Sequence, residues 1–444
     1  MKNTFRGGVH PDEGKHLTEH KSIEPMPLGK EFIVPLSMHI GAPADPVVNV
    51  GDEVKKGQKL AEPGGFVSVP VHSPVNGVVK KIDVFPHPVA GEGKAILIER
   101  HEEDDDSWMD GIAYNENYLE LSREEMLEKV REAGLAGLGG ATFPTHVKLN
   151  PPKDKPIEYL IINGAECEPY LTSDHRLMLE QAEDMLKGVQ IIAKILNVQK
   201  TIIGIENNKM DAVASLEKAI KDLGLNNVEV GVFPVKYPQG AEKQLIKAAI
   251  NREVPVGGLP MDVGVVVSNV GTAKAVFDAV AWNKPLISRV VTVTGDAVKE
   301  PKNLDVRIGT RFQEVLDYCG GITENAEKVI MGGPMMGMAQ YSLDVPVVKG
   351  TSGILVLSDK LAAQRKEDPC ILCGRCVSVC PMGLLPTTLA RLSEFDRLEE
   401  AEEKGLLACV ECGSCSFICP SNRYLVHYIK HGKKKVLANK KKAG

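Results

Sequence analysis

Two stretches, CILCGRCVSVCP at 370–381 and CVECGSCSFICP at 409–420, repeat one pattern, C-x2-C-x2-C-x3-C-P. No other feature restricts the fold as much. Three thiolates separated by two residues can wrap one cube of iron and sulfide in a single loop, and the spacing is that of bacterial [4Fe–4S] ferredoxins. The fourth cysteine lies too far around to close that cube and ligates the cluster of the other motif. The expected ligand sets are Cys370, Cys373, Cys376 and Cys419 for one cluster, and Cys409, Cys412, Cys415 and Cys380 for the other. Pro381 and Pro420 stop the chain after the last ligand. Zinc is the alternative for clustered cysteines, but a zinc site needs two pairs and would not repeat this spacing twice. The remaining cysteines, Cys167 and Cys319, read as buried thiols.

Eight of ten cysteines in two clusters imply metal ligation in a reducing compartment rather than disulfides. At 444 residues the chain exceeds one core, and about three domains are expected at ~150 residues each. A formal charge of −6 argues against a nucleic-acid binder. Charge is uneven: EEDDDSWMD (102–110) reads as an acidic loop and KHGKKKVLANKKK (430–442) as a basic tail. Such a tail solubilises, or meets an anionic membrane or acidic partner at about 1 kcal/mol per lysine. No apolar run approaches the ~20 residues of a spanning helix, and the opening MKNTFRGGVHPDEGK lacks a secretory signal. The chain is therefore expected to be cytoplasmic, or held at a membrane through other proteins.

The order of patterns predicts a multidomain α/β chain. After an N-terminal arm (1–30), short β runs with Gly/Pro punctuation at 31–110 predict an all-β unit. GDEVKKGQKL paired with SPVNGVV resembles the barrel-sandwich fold of biotinyl and lipoyl domains. The carrier lysine is missing from AEPGGFVSVPVH, so the module reads as structural. From 115 to 285, strands such as IEYLIING and TIIGIE alternate with helices, including one long helix in RLMLEQAEDMLKGVQIIAKIL, which predicts a parallel, doubly wound, Rossmann-like sheet. Residues 286–358 suggest a β-grasp unit. The helical ferredoxin-type domain (360–430) carries Leu389, Leu392, Phe395 and Leu398 at helical spacing, and a basic tail follows at 431–444.

Iron–sulfur clusters alone make a wire, so the chain needs another cofactor to supply or take electrons. GLGGATFPTHVK (137–148) is the candidate cradle. It is not a Rossmann fingerprint, since it follows a helix, leads through Pro144 towards a strand, and has Thr142 at the third glycine position. It does resemble GRGGAGFPTGxK of the flavin- and NADH-binding subunit of respiratory complex I and related hydrogenase subunits. NGAECEPYLTSDHR (163–176) resembles that family's NADExEPGxxKDR, YPQGAEKQL (237–245) its YxxGEExAL, and SNVGTA (268–273) its NNVETL. With the FRGGVHP opening and two ferredoxin motifs at the end, the layout resembles the C subunits of Rnf ion-translocating electron transport complexes over nearly the whole chain. The segment at 286–358 is similar to the soluble-ligand-binding β-grasp domain of the complex I family.

The resemblance implies an FMN pocket. Gly137, Gly139 and Gly140 would let the backbone approach the flavin phosphate, and Lys148 would supply a counter-charge. Asn163 and Glu166 would hydrogen-bond the ribityl chain or ring, joined by Gly240, Asn269 and Thr272. Phe143 would stack on the nicotinamide or adenine, with Glu168 and Glu242 contacting NADH. Departures from the family pattern stand at Leu138, Ala165, Ala241 and Gly271, where polar groups are lost. The implied role is that of a peripheral subunit on the cytoplasmic face of the cell membrane. It would pass electrons between NAD(H), FMN and two [4Fe–4S] clusters, beside membrane subunits and a ferredoxin-like protein, with the transfer coupled to Na+ or H+ movement. A flavin and iron–sulfur corrinoid (cobalamin) reductase, and a relay module without its own flavin, are the alternatives.

Overall fold

The computed structural model describes residues 3–102, 106–363 and 365–443, with side chains up to residue 440. The middle of the acidic loop lies outside the described residues. At the centre is a four-stranded parallel sheet, ordered Val228–Phe233, Lys200–Glu206, Tyr159–Asn163, Val265–Asn269. Its three strands other than the edge strand Val228–Phe233 are apolar on both faces because helices cover both. Leu160, Ile162, Ile203 and Val266 join the large core, while Ile161, Val265 and Val267 meet Leu245 and Ile246 of the helix Glu242–Ile250.

Two departures from the sequence reading lie here. The long helix is two helices, Ser173–Glu180 and Ala182–Leu196, broken at Gln181, which lies outside helical geometry. A further helix, Val270–Trp282, starts inside SNVGTA and packs against Ala182–Leu196. It is buried nearly all round (Val270, Ala273, Val276, Phe277 and Val280), so it lacks the polar face that would reveal a helical period.

The N-terminal β unit consists of two antiparallel sheets. One has the order Glu31–Pro35, Gly91–Arg100, Gly77–His87, Glu53–Val54; the other, Ala44–Pro46, Lys59–Pro63, Val71–His72. Its loops lean on the glycine loop, where Ile40 N–H donates to Thr142 O at 3.2 Å. The third unit is a mixed sheet. Ser288–Thr294 lies between antiparallel Lys302–Arg307 and parallel Gly353–Ser358, and Ala326–Met331 follows on the far side. Its edge is extended by Ile23–Pro25 from the segment read as an arm, pairing parallel with Lys302–Arg307. The arm is thus built into the body.

In the cysteine-rich region the helix Pro386–Glu394 ends before Phe395, which is exposed, and Leu398 belongs to a separate helix, Leu398–Glu403. Left-handed Asp396 (φ 56°) turns the chain between them. The basic tail is a helix, Leu425–Ala443, with Ile429 and Val436 buried against Leu389 and Leu392.

Lys349 marks the junction of the first three units. Its buried ammonium donates to Gly134 O at 2.6 Å and Pro70 O at 3.2 Å. Burial pulls it down from 10.5 to about 7. Between those two values the unfolded chain carries a proton that the folded chain lacks, so stability rises with pH across the window. From about pH 7 to 9 the wild type should gain on Lys349→Met by on the order of 1 kcal/mol per pH unit. Chemical denaturation of both proteins at several pH values checks this, and a pH-independent difference refutes it.

Candidate functional site

In a parallel sheet of this order, ligands bind where neighbouring strands diverge beyond their carboxyl ends. Asn163 and Asn269 end the two adjacent strands that flank this switch point and are register partners. Each organises one wall. Asn163 donates from Nδ2 to Gly240 O at 2.8 Å and accepts Ala165 N–H at 3.1 Å. Asn269 caps the helix Val270–Trp282 by accepting Gly271 N–H at 2.8 Å, and its Nδ2 donates to Asp174 Oδ2 at 2.7 Å.

The glycine loop lies on the N-terminus of that helix. Leu138 N–H donates to Thr272 Oγ1 at 2.9 Å, and Gly139 packs against Asn269. Gly140 has open space on the side a Cβ would occupy. Beneath the loop, the buried Arg289 guanidinium donates to Leu138 O at 3.2 Å and Lys349 O at 2.6 Å. Burial lowers it to about 10. Beside it, burial and then the Glu166 charge raise the Asp174 carboxyl to about 7. Pro144 leads into a short helix, Thr145–Lys148, instead of a strand.

A helix N-terminus, an exposed glycine backbone and a lysine nearby form a donor set suited to a phosphate-bearing ligand. Lys148 Nζ lies 3.0 Å from Glu242 Oε1 and donates to Val267 O at 2.9 Å, so these two expected site residues meet each other. Phe143 accepts Gly137 N–H through its carbonyl and closes the loop's base. Thr142 stands at φ 52°, a left-handed conformation unfavourable for a β-branched residue. The resembled GRGGAGFPTGxK pattern has glycine there. Thr142→Gly should stabilise the chain by about 1 kcal/mol; a lower unfolding midpoint would show that the threonine's contacts outweigh the strain.

The acidic candidates separate. Glu166 is buried and accepts Ser173 Oγ–H at 3.1 Å, Asp174 N–H at 2.9 Å and His175 N–H at 3.3 Å, capping Ser173–Glu180. Glu168 accepts Met335 N–H at 3.1 Å and Met336 N–H at 2.8 Å from the third unit, and burial raises its carboxyl to about 6. Motif matching at 163–176 gave no sign of these backbone partners. The same holds for Arg289, which lies outside every motif.

The second centre is a small pocket lined by Cys380, Cys409, Cys412 and Cys415 among apolar residues including Leu384, Leu389, Val426 and Ile429. One motif supplies three of these thiols and the other motif the fourth, as a shared-ligand pair of cubes requires. The sulfurs ring the cavity without closing on one point: among the described residues, no three His, Cys, Asp or Glu side chains converge on a single ion. Lys433 Nζ donates to Cys409 O at 2.7 Å, a cation beside this site. Of the other set, Cys370 and Cys373 are exposed, as are Ile371 and Leu372 between them. Cys319 is buried; Cys167 is partly buried and accepts Gly240 N–H at 3.2 Å.

An α/β domain matching an FMN-binding family joined to a 4Fe-4S dicluster domain defines a flavin and iron–sulfur electron-transfer protein. Residues 130–278 match the Nuo51 FMN-binding domain, 3–103 the RnfC barrel sandwich hybrid domain, 290–339 the SLBB domain and 362–420 the 4Fe-4S dicluster domain. The chain belongs to the family of C subunits of Rnf-type ferredoxin:NAD(+) oxidoreductase complexes. It is 52% identical over 432 residues to the C subunit of the proton-translocating ferredoxin:NAD(+) oxidoreductase complex of Clostridium ljungdahlii, covering 97% of this chain and 93% of that one. It is 45% identical over 442 residues to the C subunit of the Na(+)-translocating complex of Acetobacterium woodii, covering 99% and 98%. The fold is also that of an NAD+-reducing [NiFe]-hydrogenase chain, with a TM-score of 0.52 at 19% identity, over 74% of this chain and 64% of the hydrogenase chain.

Proposed function

We propose that this chain is the NAD(H)-linked electron-transfer subunit of a membrane ion-translocating oxidoreductase, holding FMN at the switch point and two [4Fe–4S] clusters in its last domain. The observation that carries the reading is the pairing of two sites in one chain: a glycine loop on a helix N-terminus beside Asn163 and Asn269, and a pocket ringed by four cysteines. A flavin takes a hydride as two electrons and releases them singly, the conversion a nicotinamide cannot make with an iron–sulfur cluster.

The protein's own groups hold and orient. Gly137, Gly139 and Gly140 beside the helix N-terminus, with Lys148, would take the phosphate; Asn163, Gly240, Asn269 and Thr272 would line the ribityl side. Glu166 would act here by fixing the helix whose Asp174 bonds Asn269. Phe143, Glu168 and Glu242 remain our assignments for NADH. The cavity of Cys380, Cys409, Cys412 and Cys415 adjoins the flavin domain through Tyr237, whose hydroxyl donates to Cys412 O at 2.7 Å. We therefore assign that cluster as the first acceptor, and the exposed Cys370, Cys373, Cys376 and Cys419 cluster as the exit to a partner. Among the described residues no helix is long and apolar enough to cross a membrane. Attachment through membrane subunits at the cytoplasmic face fits this, with the 31–110, 115–285, 286–358 and 360–430 units as the working domain division. Anaerobic purification should give about one FMN and about eight irons per chain, with NADH-driven viologen reduction. Eight irons with no flavin after added FMN would leave a relay and sink the entry role.

A further inference from the structure

The opening FRGGVHP has no role in the electron path described so far. In the structure it runs between the flavin domain and the dicluster domain. Phe5 and Val9 are buried, and the two glycines between them face opposite partners. A Cβ on Gly7 would lie 2.6 Å from Val379 O and 2.9 Å from the carbonyl carbon of Cys380; one on Gly8 would lie 2.8 Å from Tyr237 O. Both residues have positive φ, 72° and 88°. Gly8 N–H donates to Val379 O at 2.8 Å, while Val9 and Tyr237 exchange backbone bonds of 2.8 and 2.9 Å. Val9, Tyr237 and Cys412 share one apolar cluster, with Cys167 and Val379 against it.

Further along, the segment is pinned to the flavin side. Lys236 Nζ donates to Phe5 O at 2.7 Å, and buried Lys15 Nζ donates to Glu168 O at 3.0 Å and Leu171 O at 2.5 Å. One layer of main chain therefore separates Tyr237 from Val379 and Cys380. At Gly7 and Gly8 a Cβ would meet main-chain oxygens on opposite sides of it.

We propose that Phe5–Val9 is a positioning strap that sets the spacing between the flavin pocket and the Cys380/Cys409/Cys412/Cys415 cluster, and that this spacing governs the rate of electron transfer between them. The inference rests on the entry role argued above. NADH would pass a hydride, one proton with two electrons, to the flavin and leave as NAD+. The flavin would give up its electrons one at a time, the first moving on to the second cluster before the next enters this one, and the proton would go to solvent. The strap forms and breaks no bond.

The test uses the full chain loaded with FMN and iron, as wild type, Gly7→Ala, Gly8→Ala and Lys236→Met. Rapid mixing with NADH follows flavin bleaching and cluster bleaching separately. The alanine variants should bleach flavin at the wild-type rate and reduce the cluster several-fold more slowly, because electron tunnelling weakens with each added increment of distance. In the cofactor-free chain, the Val9 and Tyr237 amides should exchange hydrogen faster than in wild type. Wild-type cluster reduction in fully loaded Gly7→Ala and Gly8→Ala would overturn the proposal. Should these not fold, Lys236→Met adds no bulk and loosens the strap; unchanged cluster reduction there overturns it equally. A wild-type flavin that NADH does not reduce refutes the entry role instead, and photoreduction of the flavin then reads the strap's effect.

Discussion

Cys380→Ser is expected to remove the cluster of the second motif while sparing the cluster of the first. Cys380 belongs to CILCGRCVSVC, yet its side chain lines the same cavity as Cys409, Cys412 and Cys415. Replacing it deprives that cube of one thiolate, and the purified chain should hold about four irons instead of about eight. Cys409→Ser should give the same residual spectrum, and Cys370→Ser and Cys419→Ser the complementary one. Iron analysis with low-temperature EPR of the reduced variants separates the pairs. If Cys380→Ser instead matches Cys370→Ser, each motif closes its own cube and the crossed assignment is wrong. Because the Cys380 cluster adjoins Tyr237, its loss should leave flavin reduction by NADH intact and stop delivery to the outer cluster.

Gly240→Ala is expected to abolish tight FMN binding. A Cβ there would lie 2.2 Å from Ala165 O and 3.1 Å from Cys167 Sγ, so the wall made by 163–167 and 237–241 must open. Both nearest groups are held: Cys167 Sγ accepts Gly240 N–H, and Ala165 N–H donates to Asn163 Oδ1, whose Nδ2 donates to Gly240 O. Overpacking of this kind costs about 1–3 kcal/mol, and opening the wall misplaces Asn163 at the switch point. FMN titration of the apoprotein should show at least a ~10-fold weaker complex, since 1.4 kcal/mol is tenfold in affinity. Iron content should be unchanged. Wild-type FMN affinity in Gly240→Ala would remove Gly240 and Asn163 from the pocket.

Legibility in the sequence followed the range of the interaction. The cysteine spacing is legible because one loop must present three thiolates to one cube, a constraint spanning a dozen residues. The central strands are legible because strands such as IEYLIING are covered on both faces and therefore read as continuous apolar runs. The helix Val270–Trp282 escaped because burial on all sides erases its period, and Gln181 breaks a helix that the pattern reads as continuous. Ile23–Pro25 is a strand only because Lys302–Arg307 lies alongside it, almost three hundred residues away in sequence.

Around the switch point, the motifs singled out loops that the fold brings together but not the work of each side chain. Glu166 and Glu168 sit two residues apart in ECEP; one caps a helix within the flavin domain and the other holds the Met335–Met336 backbone of the third unit. Arg289 supports the loop from outside every motif.

From the sequence alone came the cluster type and the order of units, because ligand spacing and hydrophobic period are local properties of the chain. The spacing already placed Cys380 with the second motif's cysteines; only the tertiary structure decided that Asn163 meets Asn269 and that Gly7 and Gly8 separate Tyr237 from Cys380. Those contacts depend on how distant segments close on one another, and a carbonyl oxygen that rules out a Cβ leaves no mark on the residues around it in sequence.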